Sequence, residues 1–223
     1  MGFSVIFLHR SDSHKPFLHH LKPLNLLLQD LEMTENQEIQ FKKQSESFYN
    51  KIFMEYHESK DNLLLVDYFS VTEYLHLLIG ITKLLNPHGQ KTILFLAAAV
   101  SDFYLPADSM AEHKIQSGSG DLDLCLKPVP KLIKLLKKTI CPDAFIVSFK
   151  LETDDSLLLK KAKTALEKYG HDLVVSNCLA TRKNKLILLN QEGEEVIEKH
   201  GGFIEQDLIE RIVQKYNEYA KNK

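Results

Sequence analysis

Two residues of opposite charge flank one loop of the chain, and together they suit the binding of a polar ligand. Asp102 follows the apolar stretch Ile93–Leu96 and a run of alanines, and Lys114 precedes a Ser-Gly-Ser-Gly segment at residues 117–120. A carboxylate accepts hydrogen bonds and an ammonium group neutralises an anion, while small side chains let a ligand approach the backbone closely. A second interpretation stays open, in which the alanines accommodate a crossing helix and Asp102 only caps a turn.

Polar side chains also follow two later apolar stretches. Lys150 comes directly after the run that ends at Phe149, and Asn177 follows another such run. If these strands are parallel, their carboxyl ends meet at one edge of the sheet, which is the usual place of a ligand cleft. The alternatives are a solvated pair of Lys150 with Glu152 at a helix entrance and a strand-ending turn at Asn177.

Several standard nucleotide and hydrolase motifs are absent from the sequence. The chain contains no G-x-G-x-x-G, no G-x-x-x-x-G-K-[ST] and no G-x-S-x-G. The usual signatures of dinucleotide binding, of P-loops and of α/β-hydrolases are therefore missing. The Ser-Gly-Ser-Gly segment could bind an anion through backbone amides, but a flexible surface linker explains it better.

The candidate residues require a scaffold, and the hydrophobic pattern predicts strands that alternate with helices. Strands are expected over residues 3–8, 63–69, 93–96, 122–126, 144–149, 173–176, 185–190 and 194–197. Helices are expected over about 34–57, 70–85, 130–136, 156–169 and 203–216. This order predicts the α/β class, as a three-layer Rossmann-like fold with a mostly parallel central sheet and a small antiparallel hairpin near the C-terminus.

Local signals mark the expected ends of several helices. Thr34 with Gln37 and Ser70 with Glu73 have the spacing of capping boxes, and Gly170 is a natural helix stop. The strands at 63–69 and 93–96 are joined by a helix, so we expect them to be parallel neighbours. The length of 223 residues favours a single domain over residues 1–223.

The composition excludes several classes of protein. A net charge of -2 and a pI near 6.6 give no basic field for nucleic acid and no polybasic membrane signal. The cysteines, Cys125, Cys141 and Cys178, are odd in number and lack a C-x-x-C pattern, so neither a disulfide framework nor a metal site is predicted. The apolar run Ile93–Val100 is far shorter than the roughly 20 residues of a membrane span. The sequence predicts a cytoplasmic protein with no nucleic-acid or membrane partner.

Five segments of the sequence together resemble one known family. In order along the chain they are FLAAAVSDFYLP, EHKIQSG, the Val129–Leu132 segment VPKL, FIVSFKLETD and VVSNCLATR. They closely resemble eukaryotic phosphopantothenate-cysteine ligase, also called phosphopantothenoylcysteine synthetase, and the resemblance covers essentially the whole chain. It implies a homodimer that joins 4'-phosphopantothenate to cysteine in the biosynthesis of coenzyme A.

The resemblance also implies a reaction in two steps. The carboxylate of 4'-phosphopantothenate attacks the α-phosphate of a nucleoside triphosphate, which is ATP in the eukaryotic branch and CTP in the bacterial branch. An acyl nucleotidylate forms, pyrophosphate leaves, and cysteine then displaces the nucleotide. Mg²⁺ and cationic side chains offset the charge that develops on phosphate, and a closed site protects the intermediate from water.

The family's functional residues carry over onto individual positions of this sequence. By resemblance, the pantothenate moiety binds at three positions: Ala98, Ala99 and Asp102. Lys114 matches the lysine of a mobile loop, and its expected catalytic role is to stabilise charge over the phosphates and to serve the second half-reaction. Phe149 and Asn177 match positions that line the nucleotide pocket.

One feature of the family does not occur in this sequence. The family carries an Asn-Phe-Ser-Ser-Gly segment that holds the triphosphate, and no such segment is found among the 223 residues. We expect either a chain truncated at the N-terminus relative to the family or a homologue with weakened catalysis, which binds substrate or pairs with a complete subunit. A nicotinamide-dependent reductase would fit the strand order but lacks the glycine fingerprint.

Overall fold

A computed structural model describes residues 2–116 and 121–222 of the chain. The chain divides into two units between Tyr74 and Leu75. The first unit holds a two-stranded parallel sheet and a two-stranded hairpin, and the second holds a five-stranded sheet. Within the described residues, no helix combines the length and the apolar character that crossing a membrane requires.

The first unit is built on two parallel strands. β1 (Val5–Arg10) pairs with the fourth strand of the chain, so that Val5 lies opposite Leu63 and Arg10 lies opposite Tyr68. The elements that follow β1 are α1 (Leu24–Leu27), β2 (Leu31–Met33), β3 (Ile39–Phe41), α2 (Lys43–Ser59) and β4 (Leu63–Tyr68). β2 and β3 form an antiparallel hairpin.

A buried carboxylate joins this hairpin to α2. Asp30 accepts hydrogen bonds from the hydroxyl groups of Ser45, at 2.9 Å, and Tyr49, at 2.7 Å. Its Oδ2 atom also lies 2.6 Å from Nζ of Lys22. The hydrogen bond from Lys22 lowers the pKa of Asp30 to about 2, and the hydrogen bond to Asp30 raises the pKa of Tyr49 to about 12. These contacts fix the start of α2 against the hairpin.

The helix predicted from Thr34 begins later than expected. α2 starts at Lys43, and Thr34 instead lies at the turn of the hairpin, where its Oγ1 accepts a hydrogen bond from the Glu38 N–H at 3.0 Å. Gln37 occupies the left-handed region at φ 62°. The prediction was wrong because threonine side chains bond to nearby backbone groups in turns as well as at helix starts.

The second capping box is confirmed. α3 (Val71–Leu85) follows Ser70, whose Oγ accepts a hydrogen bond from the Glu73 N–H at 3.2 Å. The carboxylate of Glu73 in turn accepts from the N–H groups of Phe69, at 2.7 Å, and Ser70, at 3.1 Å. This reciprocal pairing satisfies backbone donors that the first helical turn leaves free.

The second unit contains a mixed sheet and the remaining helices. Its strands are β5 (Ile93–Leu96), β6 (Phe103–Tyr104), β7 (Lys127–Pro128), β8 (Phe145–Glu152), β9 (Leu173–Cys178), β10 (Lys185–Leu189) and β11 (Glu194–Glu198). Its helices are α4 (Ile133–Leu135), which continues as a π-helical turn to Ile140, α5 (Asp155–Tyr169) and α6 (Ile204–Lys221). The five-stranded sheet has the order β11-β10-β9-β8-β5.

Helices cover both faces of the five-stranded sheet. β5, β8 and β9 are parallel, and β10 and β11 form the antiparallel hairpin near the C-terminus. On one face, α5 packs Ala162 and Leu166 against Val174. On the other face, α6 packs Leu208 and Ile212 among neighbours that include the strand residues Val147 and Val175. Because neighbouring residues of a strand point to opposite faces, this is the three-layer α/β fold that the sequence predicts.

The strands differ from the prediction in two respects. We expected β4 and β5 to be parallel neighbours; β4 pairs with β1, a partner that the sequence did not predict, and β5 pairs with β8. The crossover rule sets the hand of a connection between parallel strands but does not name the partner of each strand. Residues 122–126 form no strand, because the alternating leucines Leu122, Leu124 and Leu126 remain exposed. An alternating pattern produces a strand only where another element pairs with it and covers its apolar side.

Candidate functional site

The backbone that follows β5 is open to solvent. The Ala97 N–H donates to the Phe95 carbonyl at 3.2 Å, and the Val100 N–H donates to the Ala98 carbonyl at 3.0 Å, so the chain makes two tight three-residue turns. Ala98 and Ala99 are exposed. Their methyl groups leave the backbone of this turn accessible to a ligand.

Asp102 joins the segment after β5 to the segment before α4 through a hydrogen bond and an ion pair. Its backbone carbonyl accepts a hydrogen bond from the Val129 N–H at 2.9 Å, and its carboxylate forms an ion pair with Nζ of Lys131. Ser101 donates its hydroxyl to the Phe103 carbonyl at 2.7 Å, which holds the backbone on either side of Asp102 in a turn. The structure therefore fixes the backbone of Asp102 and leaves its side chain in solvent.

The charge around Asp102 is positive. The hydrogen bond from Lys131 and then the charge of Lys131 hold the pKa of Asp102 below its ordinary value, and the charge of Lys150 lowers it further. Asp102 is therefore ionised at neutral pH. As an ionised carboxylate it only accepts hydrogen bonds, so it suits a ligand that offers hydroxyl or amide N–H groups.

Lys150 belongs to a second group of charges at the end of β8. Glu152 places Oε1 3.0 Å from Nζ of Lys150 and Oε2 2.7 Å from Nζ of Lys161. Lys161 first, and then Lys150, lower the pKa of Glu152. The Glu152 side chain is 12% exposed, whereas Lys150 and Lys161 are 39% and 47% exposed, so the group includes the solvated pair at a helix entrance that the sequence left open as an alternative. It ties the end of β8 to α5.

Phe149 and Asn177 lie on one face of the sheet. The register of β8 and β9 places Phe149 opposite Val175 and Leu151 opposite Asn177, and alternate residues of a strand share a face. The Phe149 ring meets the Phe95 ring edge-on with centroids 5.0 Å apart. An aromatic surface beside an amide suits a planar heteroaromatic base, which stacks and hydrogen-bonds.

Lys114 shows no polar contact with the other candidate residues. Lys114 is exposed and makes no hydrogen bond or ion pair with any residue that the structure describes. The Ser-Gly-Ser-Gly segment at residues 117–120 lies outside the described residues. The other candidate residues lie on or directly after β5, β8 and β9. These three strands are parallel and adjacent, so their carboxyl ends lie at one edge of the sheet.

Lys131, the ion-pair partner of Asp102, was not predicted from the sequence to be a site residue. It lies 29 positions after Asp102, beyond a loop of 22 residues between β6 and β7. The Val-Pro-Lys-Leu segment belonged to the family resemblance, but nothing local to it predicts a contact with Asp102. The pairing of Phe103 with Pro128 is what brings the two side chains together.

Two further features bear on what the site can hold. The described residues contain no cluster of three or more His, Cys, Asp or Glu side chains able to bind a metal. Mg²⁺ in nucleotide enzymes is commonly held by one or two carboxylates together with the substrate phosphates, and the two candidate carboxylates here, Asp102 and Glu152, already pair with lysines. A shallow depression of about 620 Å³ elsewhere follows a single stripe of α2, from Lys43 to Glu58, and is an open helix face with no strand end beside it.

Comparison with known proteins places this chain in a family. Residues 80–216 match the domain family described as the DNA/pantothenate metabolism flavoprotein C-terminal domain. The chain is 37% identical over 222 residues to phosphopantothenate-cysteine ligase 2 of Oryza sativa subsp. japonica, and the match covers 98% of this chain and 68% of the rice protein. It is 35% identical over 237 residues to the phosphopantothenate-cysteine ligase of Homo sapiens, with 98% of this chain and 74% of the human protein covered.

A solved structure has a similar fold. A Cab2 variant in complex with phosphopantothenate-cysteine superposes on this chain with a TM-score of 0.84 and 33% sequence identity, covering 99% of this chain and 75% of the Cab2 chain. The similarity thus extends over almost the whole chain. Relatives at this identity align along almost the whole sequence, and the chain belongs to the phosphopantothenate-cysteine ligase family.

Proposed function

We propose that this protein joins 4'-phosphopantothenate to cysteine in the biosynthesis of coenzyme A. The observation that carries the proposal is the similarity, over 99% of the chain, to a structure that binds phosphopantothenate-cysteine. The site geometry supports it, since an ionised carboxylate, an open alanine turn and several lysines lie near the carboxyl edge of the parallel strands. The protein acts in this proposal as a single ligase domain over residues 1–223, as a homodimer and in the cytoplasm.

The pantothenate moiety binds at the turn after β5 in this proposal. Ala98 and Ala99 allow the ligand to approach the backbone, and Asp102 accepts hydrogen bonds from its hydroxyl and amide groups. The exposed turn and the ionised state of Asp102 support these roles. The hydroxyl and amide N–H donors of the pantothenate moiety match an acceptor-only side chain.

The nucleoside triphosphate binds on the face that carries Phe149 and Asn177. Phe149 contacts the base through its ring and Asn177 offers an amide for hydrogen bonding, which fits ATP or CTP. A bound Mg²⁺ would neutralise charge on the triphosphate oxygens, which would supply most of its ligands. Lys114 is the proposed catalytic residue, because it matches the family's lysine that acts on the phosphates and its side chain is exposed.

The proposed reaction proceeds through an acyl nucleotidylate. A carboxylate oxygen of 4'-phosphopantothenate attacks the α-phosphorus, and the bond from that phosphorus to the bridging oxygen breaks to release pyrophosphate. The cysteine amine then attacks the activated carbonyl carbon, loses a proton and displaces the nucleoside monophosphate. Lysine side chains held near the phosphates stabilise the charge that develops in both steps.

Product analysis tests this function directly. The purified chain is incubated with 4'-phosphopantothenate, cysteine and Mg²⁺, with ATP or CTP in separate reactions, and 4'-phosphopantothenoylcysteine and pyrophosphate are quantified. We expect both products in equal amounts, and omission of cysteine should abolish the amide product. Tight binding of 4'-phosphopantothenate with no pyrophosphate from either nucleotide would refute the proposed ligase activity.

One sequence observation supports a second candidate function. The Asn-Phe-Ser-Ser-Gly segment that holds the triphosphate in the family does not occur in this sequence. A chain without that segment could act as a catalytically weakened homologue that binds substrate or pairs with a complete subunit. Substrate binding without turnover, together with activity recovered on addition of a complete subunit, would favour this candidate.

A further inference from the structure

The proposed substrate-binding carboxylate already has a partner in this structure. Asp102 forms an ion pair with Lys131 through its Oδ1 atom, so part of the acceptor capacity that a substrate would need is in use. A ligand that hydrogen-bonds to Asp102 must compete with this ammonium group. When a ligand binds to Asp102, the Lys131 ammonium group must therefore find another partner or return to solvent.

The ion pair is not required to hold the local fold. The Val129 N–H already donates to the Asp102 carbonyl at 2.9 Å, and Phe103 pairs with Pro128 in the strands β6 and β7. The side chains of Lys131 and Asp102 are 58% and 70% exposed. Exposed pairs of this kind contribute little to stability, so the pair can open at small cost when a ligand replaces it.

Among the residues that the structure describes, Lys131 has a single carboxylate as its ion-pair partner, Asp102. Lys150 and Lys161 both pair with Glu152, and the charge of Lys161 also acts on Asp154. Glu152 is occupied by Lys150 and Lys161, so it offers little to a lysine that leaves Asp102. A ligand that supplies only neutral donors to Asp102 would release Lys131 without a counter-charge, whereas a ligand that also carries an anion would provide one.

We propose that Lys131 is an anion-binding residue of this site, which pairs with Asp102 in the absence of substrate and moves to a phosphate group of the bound substrate. Lysine binds phosphate as a compact point charge on a flexible stem, which suits such an exchange. The same event frees Asp102 for the hydroxyl and amide groups of the ligand. The inference rests on the proposed function, because it takes the ligand to be a phosphorylated pantothenate.

The first test examines the ion pair without any ligand. The carboxyl carbon of Asp102 is followed by NMR through an acid titration in the wild type, in Lys131→Gln and in Lys134→Gln. Lys134 is an exposed lysine three positions further along, so its loss changes the net charge equally. We expect the pKa of Asp102 to rise towards its ordinary value only in Lys131→Gln. An equal pKa in all three proteins would show that the pair is absent, whatever the function of the protein.

The second test measures the exchange by calorimetry with two ligands, 4'-phosphopantothenate and pantothenate, which differ by the phosphate group. Lys131→Gln should weaken 4'-phosphopantothenate binding about tenfold or more and leave pantothenate binding unchanged or slightly tighter, whereas Lys131→Arg should retain most of the affinity. Lys134→Gln should bind as the wild type does. A parallel titration with ATP would reveal a loss there instead if the triphosphate is the anion that Lys131 meets.

The outcomes separate the two proposals. If the wild type binds 4'-phosphopantothenate and Lys131→Gln binds both it and ATP equally well, the exchange is refuted and the proposed function stands. If the wild type binds neither ligand, the proposed function fails, and the inference that depends on it fails as well.

Discussion

Asp102 illustrates which part of a site can be predicted from individual residues. Its position after an apolar stretch and three alanines fitted either a ligand contact or a turn cap, and the structure places it in an exposed turn after β5. Its partner Lys131 could not be predicted, because the contact depends on the pairing of β6 with β7 across a long loop. The sequence around a carboxylate shows that it can accept hydrogen bonds, whereas the charges that surround it depend on the tertiary structure.

Replacement of Asp102 tests its role in binding. Asp102→Asn should weaken binding of 4'-phosphopantothenate by about tenfold to a hundredfold, because hydrogen bonds to a charged acceptor contribute about 1.5 to 3 kcal/mol. Calorimetric titration measures the effect. Asp108→Asn is the matched control, since Asp108 is exposed and its recorded hydrogen bond is to the adjacent Ser109. Equal affinities of Asp102→Asn and the wild type would leave Asp102 as a turn residue only.

Replacement of Lys114 tests its role in catalysis. Lys114→Gln should slow formation of 4'-phosphopantothenoylcysteine by about 10²- to 10³-fold, because a preorganised charge at a transition state is lost. The melting temperature should not change, since Lys114 is exposed. Pyrophosphate release and amide formation are measured separately, with Lys91→Gln as a control at the other end of β5. Undiminished amide formation in Lys114→Gln would remove the residue from the reaction.

At the scale of elements, prediction succeeded where the signal was local. The capping box of Ser70 and Glu73 and the stop at Gly170 both depend on residues within one helical turn, and the structure contains both. Thr34 has the same spacing but lies in a hairpin, because the competing turn is stabilised by the strands on either side of it. The partner of β4 was also missed, since strand neighbours are selected by contacts far along the chain.

Two glycine substitutions, one at the end of a helix and one inside a helix, test the effect of backbone conformation on stability. Gly170 follows α5 at φ 68°, where a side chain strains the backbone although nothing lies within 4 Å of an added Cβ. Gly170→Ala should therefore lower the free energy of unfolding by about 1 to 2 kcal/mol. Gly80→Ala, within α3 and equally unobstructed, should raise it by about 0.5 to 1 kcal/mol. Urea unfolding curves measure both changes, and a shift of the same sign in both variants would contradict the backbone argument.

At the scale of the whole molecule, a buried histidine makes stability depend on pH. His171 is 1% exposed, and its Nε2 lies 2.9 Å from Oγ of Ser148. Burial lowers the pKa of His171 to about 4, while Asp172 raises it and Lys137 lowers it by charge. The unfolded chain, with a histidine pKa near 6.5, therefore takes up the proton first. The contribution to stability is complete above about pH 6.5 and is lost as the pH falls towards 4.

Unfolding measured across this interval tests the effect of His171. The free energy of unfolding of the wild type should fall by up to about 1.4 kcal/mol per pH unit through this one group as the pH decreases from 6.5 to 4. His171→Asn should be less stable at neutral pH, because it loses core packing, but should show a smaller slope. A slope identical to that of the wild type would assign the acid sensitivity to other groups.

The sequence predicted the overall architecture of the fold better than it predicted which strands pair. The alternation of apolar strands with amphipathic helices predicted the three-layer α/β fold and the C-terminal hairpin, and the family resemblance covered the chain from end to end. The pairing of β1 with β4 could not be predicted, because it depends on which strands meet and not on which strands form.

The central claim is that 4'-phosphopantothenate binds at the carboxyl edge of the parallel strands, beside Asp102. Backbone amide chemical-shift mapping during a titration with this ligand tests that claim most directly. We predict that the largest shifts fall on residues 97–103 and on Lys131, with smaller shifts at the end of β8. Shifts confined to another surface, such as the stripe of α2 from Lys43 to Glu58, with none at residues 97–103, would contradict the account.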